Sequence, residues 1–302
     1  MFVPESPLAQ PIAVLFITLL AIGAGILLLI IGLVVFAGVR FRARAGDEEE
    51  PRQDFGRLPL EIGWTAAPLL LVLGLLVWTG VVMARSDPPH PTNTSNPDLV
   101  IIAHQWWWEY RYPKSNVLTA NEMHMPTGVR WLVQVESADV IHSWWVPSLG
   151  RKMDAIPGHP NYLWLQIDQT GEYHGTCSEF CGAEHAWMRI LVVAQSPADF
   201  EAWQQQQLAE PNIPAGSEAA KGEQLFRDLP CINCHLLTDA GPNLSHVGSR
   251  QTLGAGVLTN TPENLTKWLA DTQAVKPGIH MPNMNLSQDQ IQALVAYLEA
   301  SK

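Results

Sequence analysis

Positive charge is scarce in this chain of 302 residues, where Lys and Arg number 18 against 29 Asp and Glu, for a formal net charge of -11. Proteins that bind nucleic acid carry clusters of Lys and Arg for phosphate contacts, and no such run occurs here. We therefore expect no nucleic-acid partner. Charged residues make up only 16% of the chain and hydrophobic residues 47%. That balance excludes a disordered or fibrous protein, and the length leaves room for two or three packed units.

Cysteine is also rare, with four residues that fall into two close pairs, Cys177 with Cys181 and Cys231 with Cys234. Four cysteines are too few for a disulfide-stapled scaffold in a chain of this length. Each pair therefore needs its own explanation.

Two long apolar runs lie near the N-terminus. The first carries no charge from Ser6 to Val39 and the second none from Ile62 to Ala84, and both exceed the roughly 20 residues that cross a bilayer. We predict a two-helix transmembrane hairpin in residues 1–90, with helices at about 10–39 and 61–85. A cleaved secretory signal is the alternative for the first run, but no basic segment precedes it and it is longer than a signal core.

The charges around the two runs predict their orientation. Arginines lie between the runs, none precedes the first, and Arg85 alone follows the second; those between are Arg40, Arg42, Arg44, Arg52 and Arg57. Loops rich in Lys and Arg stay in the cytoplasm. We therefore place the N-terminus and everything after Arg85 on the outer, periplasmic face of a bacterial inner membrane, anchored among its lipids. That compartment is oxidising, so a plain disulfide is the alternative to a metal site for Cys177 and Cys181.

Short β-rich runs separated by Pro, Gly and Asn fill residues 98–195. They predict an all-β domain, either an antiparallel sandwich or a Greek-key barrel. Residues 196–216 follow as a helix and a linker, and residues 217–302 have the periodicity of an all-α domain. The helix-start signals are Ser196 with Pro197, Thr261 with Pro262, and Ser287 with Gln290.

The segment CSEFCGAEHAWM gathers metal-binding side chains on one loop, namely Cys177, Cys181, His185 and Met188. Thiolate and imidazole donors select copper or zinc over magnesium or calcium, and the added thioether favours a redox copper. The Cys-x3-Cys spacing lets two thiolates bridge two copper ions, each of which then needs an imidazole. His142 is the best candidate for the second imidazole, because it lies between predicted strands beside Trp144 and Trp145.

Residues 231–235, CINCH, form the C-x-x-C-H signature of c-type haem attachment, in which Cys231 and Cys234 make thioether links and His235 is the proximal ligand. A thioredoxin-like redox pair is the alternative, but the βαβ context of such pairs is missing here. The loop KPGIHMPNM supplies Met281 as the predicted distal ligand, with Met284 and His280 as alternatives. His/Met ligation raises the haem potential, which suits an electron carrier.

Three runs carry a family resemblance: HQWWWEYRYP, HSWWVPSLGRKMDAIPG and GEYHGTCSEFCGAEHAWM. With the paired anchor helices they resemble cytochrome c oxidase subunit II over residues from about 11 to 195. The haem domain that follows resembles the fused cytochrome c domain of caa-type haem-copper oxidases, and its distal loop is similar to that of class I cytochromes c. The resemblance implies a cupredoxin-like Greek-key fold for residues 98–195 and an all-α class I cytochrome c fold for residues 217–302.

The resemblance also implies roles for individual residues. The ligands of the binuclear copper centre CuA would be His142, Cys177, Glu179, Cys181, His185 and Met188, with Glu179 contributing its backbone carbonyl. The carboxylate of Glu179 would also reach a Mg2+ ion at the boundary with subunit I. Electrons would enter the copper centre at Trp106, and Glu61 would lie near the mouth of a proton path.

We therefore expect an electron-transfer subunit of a terminal cytochrome c oxidase, coupled to proton translocation. A donor, either cytochrome c or a membrane quinol-oxidising complex, would reduce haem c, and electrons would continue through CuA to haem a and the oxygen-reducing site in subunit I. Subunit III is a further expected partner. The two apolar runs contain no histidine to hold haem a, so another polypeptide would reduce dioxygen to water.

Two alternatives to this function remain open. One is the copper subunit of a CuA-type nitric oxide reductase, which only the partner subunit would distinguish. The other is a membrane-anchored copper chaperone, which also uses Cys-x3-Cys and a distant histidine but has no need of CINCH.

Overall fold

The computed structural model of the protein describes residues 3–42, 46, 53, 56–89, 96–236, 238 and 240–302. Arg44 and Arg52, which contribute to the predicted orientation, lie outside these ranges.

Two long apolar helices begin the chain, α1 at Gln10–Arg40 and α2 at Leu58–Ser86. Their most apolar windows have mean hydropathies of 3.0 and 2.3 and are almost unburied inside the protein. With 29 residues in the shorter helix and a rise of about 1.5 Å per residue, both exceed the roughly 30 Å hydrocarbon core of a bilayer. Both are therefore long enough to span a membrane.

The end of this hairpin formed by the start of α1 and the end of α2 contacts the domain that follows. The amide of Glu5 donates to the carbonyl of Ser148 at 2.9 Å, and the indole of Trp164 donates to the carbonyl of Pro88 at 3.0 Å. The start of α1 and the end of α2 therefore lie on the same side as the β domain.

Ten strands build the β domain in the part of the chain that the structure describes. They are β1 Leu99–His104, β2 Trp107–Tyr112, β3 Val117–Ala120, β4 Glu122–Pro126, β5 Arg130–Ser137, β6 His142–Trp145, β7 Met153–Ala155, β8 Asn161–Gln166, β9 Gly171–Cys177 and β10 Arg189–Gln195. One sheet has the order β3-β2-β1-β5-β8 and the other β4-β10-β9-β6-β7. A single apolar core contains side chains of both sheets, among them Leu99 and Val192.

The strand pairing is not purely antiparallel. β1 runs parallel to β5, with Ile101 opposite Val135, and β4 runs parallel to β10. Parallel neighbours need a crossover connection, and between β1 and β5 the strands β2 to β4 supply it. The result is a mixed β-sandwich.

Six further helices follow among the described residues: α3 Pro197–Leu208, α4 Glu218–Asp228, α5 Cys231–His235, α6 Pro262–Ala270, α7 Thr272–Val275 and α8 Gln288–Ala300. A small hairpin, β11 Thr252–Leu253 with β12 Leu258–Thr259, lies between α5 and α6. Helix α3 packs on the sandwich, since Trp203 lies 5.3 Å from Tyr112 between ring centroids. Helices α6 and α8 share a separate apolar core that includes Leu265, Ile291 and Leu298. The predicted architecture of two apolar helices, a β domain and a helical C-terminal domain is confirmed.

Candidate metal and haem sites

The first site lies where β6 and β9 run side by side, with Trp144 opposite Cys177. The chain leaves β9 at Cys177, forms a loop, and returns to the sheet at Arg189 in β10. A backbone hydrogen bond of 3.0 Å from the amide of Cys177 to the carbonyl of Met188 closes this copper loop, residues 177–188, at its base. The side chain of Met188 is fully buried.

Five of the six predicted copper ligands lie close together, namely His142, Cys177, Glu179, Cys181 and His185. The sulfur of Cys177 lies 3.9 Å from the sulfur of Cys181 and 3.9 Å from Nδ1 of His142. The sulfur of Cys181 lies 3.6 Å from Nδ1 of His185, and the carbonyl oxygen of Glu179 lies 3.2 Å from the sulfur of Cys177. The ligand atoms of His142, Cys177 and Cys181 all lie within 4.8 Å of one another.

This donor set fits a metal centre. A disulfide needs sulfurs about 2.05 Å apart, and both cysteines here are free thiols in a buried position. Sulfurs separated by 3.9 Å can still bind a common ion, because metal–thiolate bonds are about 2.3 Å long in zinc sites. The two sulfurs, with the imidazoles of His142 and His185 beside them, would therefore be able to hold copper.

Sequence reasoning missed Asp139, which holds His142 in place. Oδ1 of Asp139 lies 2.8 Å from Nε2 of His142. A carboxylate only accepts, so Nε2 carries the proton and Nδ1 is left to face the sulfurs. Burial acts to lower the pKa of His142, but hydrogen bonds with Asp139 and Cys177 outweigh it and raise that pKa. The available signal was a carboxylate three residues before a candidate metal-binding histidine.

The two thiols titrate as a pair. The hydrogen bond from Cys181 lowers the pKa of Cys177 to about 3, against the effect of burial and with help from His142. The same hydrogen bond, together with burial, raises the pKa of Cys181 above its ordinary range. One thiolate therefore forms readily, whereas the second proton leaves when a bound cation compensates the charge.

The second site is formed by helix α5. Cys234 is exposed and Cys231 half-buried, and Nδ1 of His235 donates to the carbonyl of Pro242 at 2.8 Å. This bond leaves Nε2 without a proton and free to bind iron. Burial lowers the pKa of His235, although the bond to Pro242 acts in the opposite direction, so the ring is held neutral. Only glycine fits at position 241, because a Cβ on Gly241 would lie 2.9 Å from the His235 ring.

The distal loop follows α7 and is tied to it. The carbonyl of Met281 accepts a hydrogen bond from the side-chain amide of Gln273 at 2.8 Å. Met281 and Met284 are both half-buried, and the choice between them stays a prediction. The ring of His280 faces the β domain and lies 5.0 Å from that of Trp106 between centroids.

Trp106 lies at the turn between β1 and β2 and contacts the copper loop and, through His280, the distal loop. Its indole donates to the carbonyl of Cys181 at 3.0 Å, and the side-chain amide of Gln105 donates to the same oxygen at 2.7 Å. The side chain is 8% exposed. Gly182 allows this packing, because a Cβ there would lie 2.9 Å from the Trp106 ring. Its φ of +119° also suits glycine.

Other predicted residues lie at the surface. The side chain of Glu179 is exposed, and that of its neighbour Phe180 is 77% exposed. Glu61 lies in the first turn of α2 with its side chain exposed. Their predicted roles toward Mg2+ and protons stay predictions.

Comparison with known proteins agrees with this geometry. The family described as the periplasmic domain of cytochrome c oxidase subunit II matches residues 115–195, and the cytochrome c family matches residues 219–302. Cytochrome c oxidase subunit 2 of Alkalihalophilus pseudofirmus is 34% identical, and the alignment covers 99% of this chain and 90% of that protein. The chain belongs to the cytochrome c oxidase subunit 2 family.

A further member of the family, cytochrome c oxidase subunit 2 of Bacillus sp. strain PS3, is 35% identical over 87% of this chain and 80% of its own length. The crystal structure of the periplasmic domain of subunit II of cytochrome oxidase from Bradyrhizobium japonicum is 33% identical. The match covers 36% of the present chain and 91% of the Bradyrhizobium japonicum chain. Its TM-score of 0.36 is too low to bear on the fold.

Membership in the cytochrome c oxidase subunit 2 family establishes the general role. The chain is an electron-transfer subunit of an oxidoreductase complex, is anchored in a membrane, and has subunit I as a partner. The subunit II domain implies CuA copper, and the fused cytochrome c domain implies haem c. The match to cytochrome c oxidase subunit 2 extends over nearly the whole chain and so favours this family over the copper-chaperone alternative.

Proposed function

We propose that this chain carries electrons from an external donor, through a covalently attached haem c and then CuA, to subunit I of a terminal oxidase. The position of Trp106 carries the proposal. Its indole donates to the carbonyl of Cys181 at 3.0 Å, while its ring lies 5.0 Å from that of His280, next to the predicted distal ligand Met281. A single aromatic side chain thus contacts both the copper loop and the haem domain.

The residues of the copper loop would hold two copper ions, which together accept and release one electron. Cys177 and Cys181 would bridge the ions, and His142 and His185 would each bind one of them, while the carbonyl of Glu179 and the thioether of Met188 complete the set. Strands β6, β9 and β10 fix these donors on a stiff sheet, so that little movement accompanies each change of charge. Asp139 keeps Nδ1 of His142 directed at the sulfurs.

The residues of α5 would attach a haem through Cys231 and Cys234 and bind its iron through Nε2 of His235. The exposure of Cys234 supports a haem edge that an external donor can reach. Cytochrome c and a membrane quinol-oxidising complex are both suitable donors.

Onward transfer would use the surface formed by Glu179 and Phe180. An apolar ring on the copper loop that is 77% exposed suits burial against subunit I. The carboxylate of Glu179 would bind Mg2+ at that boundary, and Glu61 would serve a proton path at the other end of α2. The exposed apolar sides of α1 and α2 would meet lipid, subunit I and subunit III.

The test is a metal and haem assay of the purified oxidase, with Cys181→Ser and Cys231→Ser as reciprocal variants. Two coppers and one c-type haem per chain are expected in the wild type. Cys181→Ser is expected to abolish the CuA absorption and paramagnetic signals while the haem is still reduced by donor. Cys231→Ser is expected to lose a thioether link and to keep its copper. Zinc, a single copper, or an unchanged Cys181→Ser variant contradicts the proposal, and consumption of nitric oxide in place of dioxygen reassigns the partner.

A further inference from the structure

Two charged side chains that the electron path does not use are buried between the β domain and the haem domain. Glu122 of β4 and Lys276, directly after α7, are each 2% exposed. Acidic and basic side chains are almost never buried unless they are paired or fully hydrogen-bonded. Their position therefore needs an explanation.

Glu122 belongs to the β domain, and its hydrogen-bond donors come from the haem domain. The amide of Gln251 lies 2.9 and 3.0 Å from the two carboxylate oxygens. The amide and hydroxyl of Thr252 lie 2.8 and 2.9 Å from Oε1. Burial raises the pKa of Glu122, and these hydrogen bonds act in the opposite direction.

Lys276 belongs to the haem domain, and two of its acceptors are in the β domain. Its ammonium donates to the carbonyls of Trp106 at 3.2 Å, Trp187 at 3.1 Å and Gly254 at 2.9 Å. Burial lowers the pKa of Lys276 to about 8, and the nearby negative charge of Glu184 opposes that effect.

The positions of the acceptors connect Lys276 to the electron path. Trp106 contacts the copper loop through Cys181, and Trp187 directly precedes the predicted ligand Met188. The ammonium thus binds the backbone of the copper loop at Trp187 and the backbone of the β1–β2 turn at Trp106. The distal loop of the haem domain begins at the same lysine, four residues before His280.

Glu122 and Lys276 form a reciprocal pair of contacts, in which each domain inserts one charge into the backbone of the other. If the domains separated, each charged side chain would have to be solvated by water. Its partners in the other domain would lose their hydrogen bonds. Breaking a hydrogen-bonded charge contact at an interface mainly raises the dissociation rate.

We propose that Glu122 and Lys276 are positioning residues, which keep the distal loop of the haem domain against Trp106 throughout turnover, so that transfer from haem to copper needs no domain movement. This inference rests on the proposed function. In the step concerned, one electron leaves the reduced haem and reduces the copper centre, and no bond or proton is exchanged.

The test is the rate of electron transfer from haem c to CuA in the purified oxidase, started by a photoactivated one-electron reductant and measured at several glycerol concentrations. The wild-type rate is expected to be independent of viscosity, because the domains are already in contact. Lys276→Met is expected to be about tenfold slower and to slow further with viscosity, because the haem domain must first return to its position. A purely stabilising role does not produce viscosity dependence.

Lys267→Met is the matched control, since Lys267 is an exposed lysine on α6 of the same domain, and it is expected to behave as wild type. A second readout is deuterium exchange at the amides of Gln251 and Thr252. Lys276→Met is expected to accelerate this exchange, although the hydrogen bonds of Lys276 end on other residues.

Glu122→Gln gives the same test from the other domain. It replaces Lys276→Met if the Lys276→Met protein lacks either its copper or its haem. The proposal is overturned if both variants transfer electrons at the wild-type rate, or if the wild-type rate itself falls with viscosity. Absence of transfer from haem to copper in the wild type overturns the proposed function, and this role with it.

Discussion

At the residue scale, Cys181 takes part in two sets of contacts, one through its sulfur and one through its backbone carbonyl. Its sulfur lies within the copper site, and its carbonyl accepts hydrogen bonds from Trp106 and Gln105. Asp139 has a similar double contact, because its carboxylate lies 2.8 Å from the His142 ring and also accepts a hydrogen bond of 2.6 Å from the backbone amide of Gln105. The ligands and the aromatic side chain that approaches them therefore share a hydrogen-bond network.

Replacement of Asp139 tests this network. Asp139→Asn keeps the shape of the side chain but removes the charge that orients His142 and makes its ring more basic. We expect copper affinity to fall about tenfold, the lower end of the range for such partners of metal ligands. Copper titration of the metal-depleted protein, followed by the CuA absorption, measures this, with the exposed carboxylate variant Asp154→Asn as control. Equal affinity in the two variants would show that Asp139 does not tune the site.

At the scale of elements, the haem domain depends on the close approach of α4 to α8. A Cβ added to Gly222 of α4 would lie 1.9 Å from the carbonyl oxygen of Ala293 in α8. No side chain can occupy that space unless the helices separate. Phe226, one turn later, packs near Tyr297 and the His235 ring, so this helix pair also supports the proximal ligand.

We expect Gly222→Ala to destabilise the haem domain by about 3 kcal/mol, the upper part of the usual range for overpacking. The measurement is denaturant unfolding followed by haem absorption. Gln224→Ala, an exposed change on the same helix, should leave the transition unchanged. A transition of Gly222→Ala that coincides with wild type would mean that the helices adjust without loss.

Sequence patterns predicted the elements that depend on local chemistry. Ser196 and Ser287 cap α3 and α8, and the capping box of Ser287 with Gln290 is confirmed. The copper loop and CINCH are likewise contiguous, so their spacing alone was informative. Contacts between the β domain and the haem domain were not predictable, because nothing local marks them. Glu122 meets Thr252 across 130 positions, and Lys276 meets Trp106 across 170.

At the scale of the whole molecule, the hairpin and the two domains form a directional arrangement. Glu5 and Pro88 both contact the β domain, so Arg40 and Arg57, at the two ends of the connection between α1 and α2, lie at the far end of the hairpin. If that connection is cytoplasmic, both candidate cofactor sites face the periplasm.

Protease accessibility tests this orientation. The linker between α3 and α4 is exposed at Pro214, Ala215 and Gly216. A protease added to spheroplasts is expected to cut there, and the linker should be protected in inverted vesicles. A cleavage site inserted after Gly46 provides the reciprocal control and should show the opposite pattern. Cleavage of the linker only in inverted vesicles would reverse the topology.

The covered position of Trp106 has a consequence for which reductants the enzyme can use. On the proposed electron path, the C-terminal domain that lies over this indole would screen the copper from small reductants and from other redox proteins. That domain alone would then select the electron donor. Exchange of that domain for another electron carrier would therefore connect the oxidase to a new donor, while the path from the copper onward stayed unaltered.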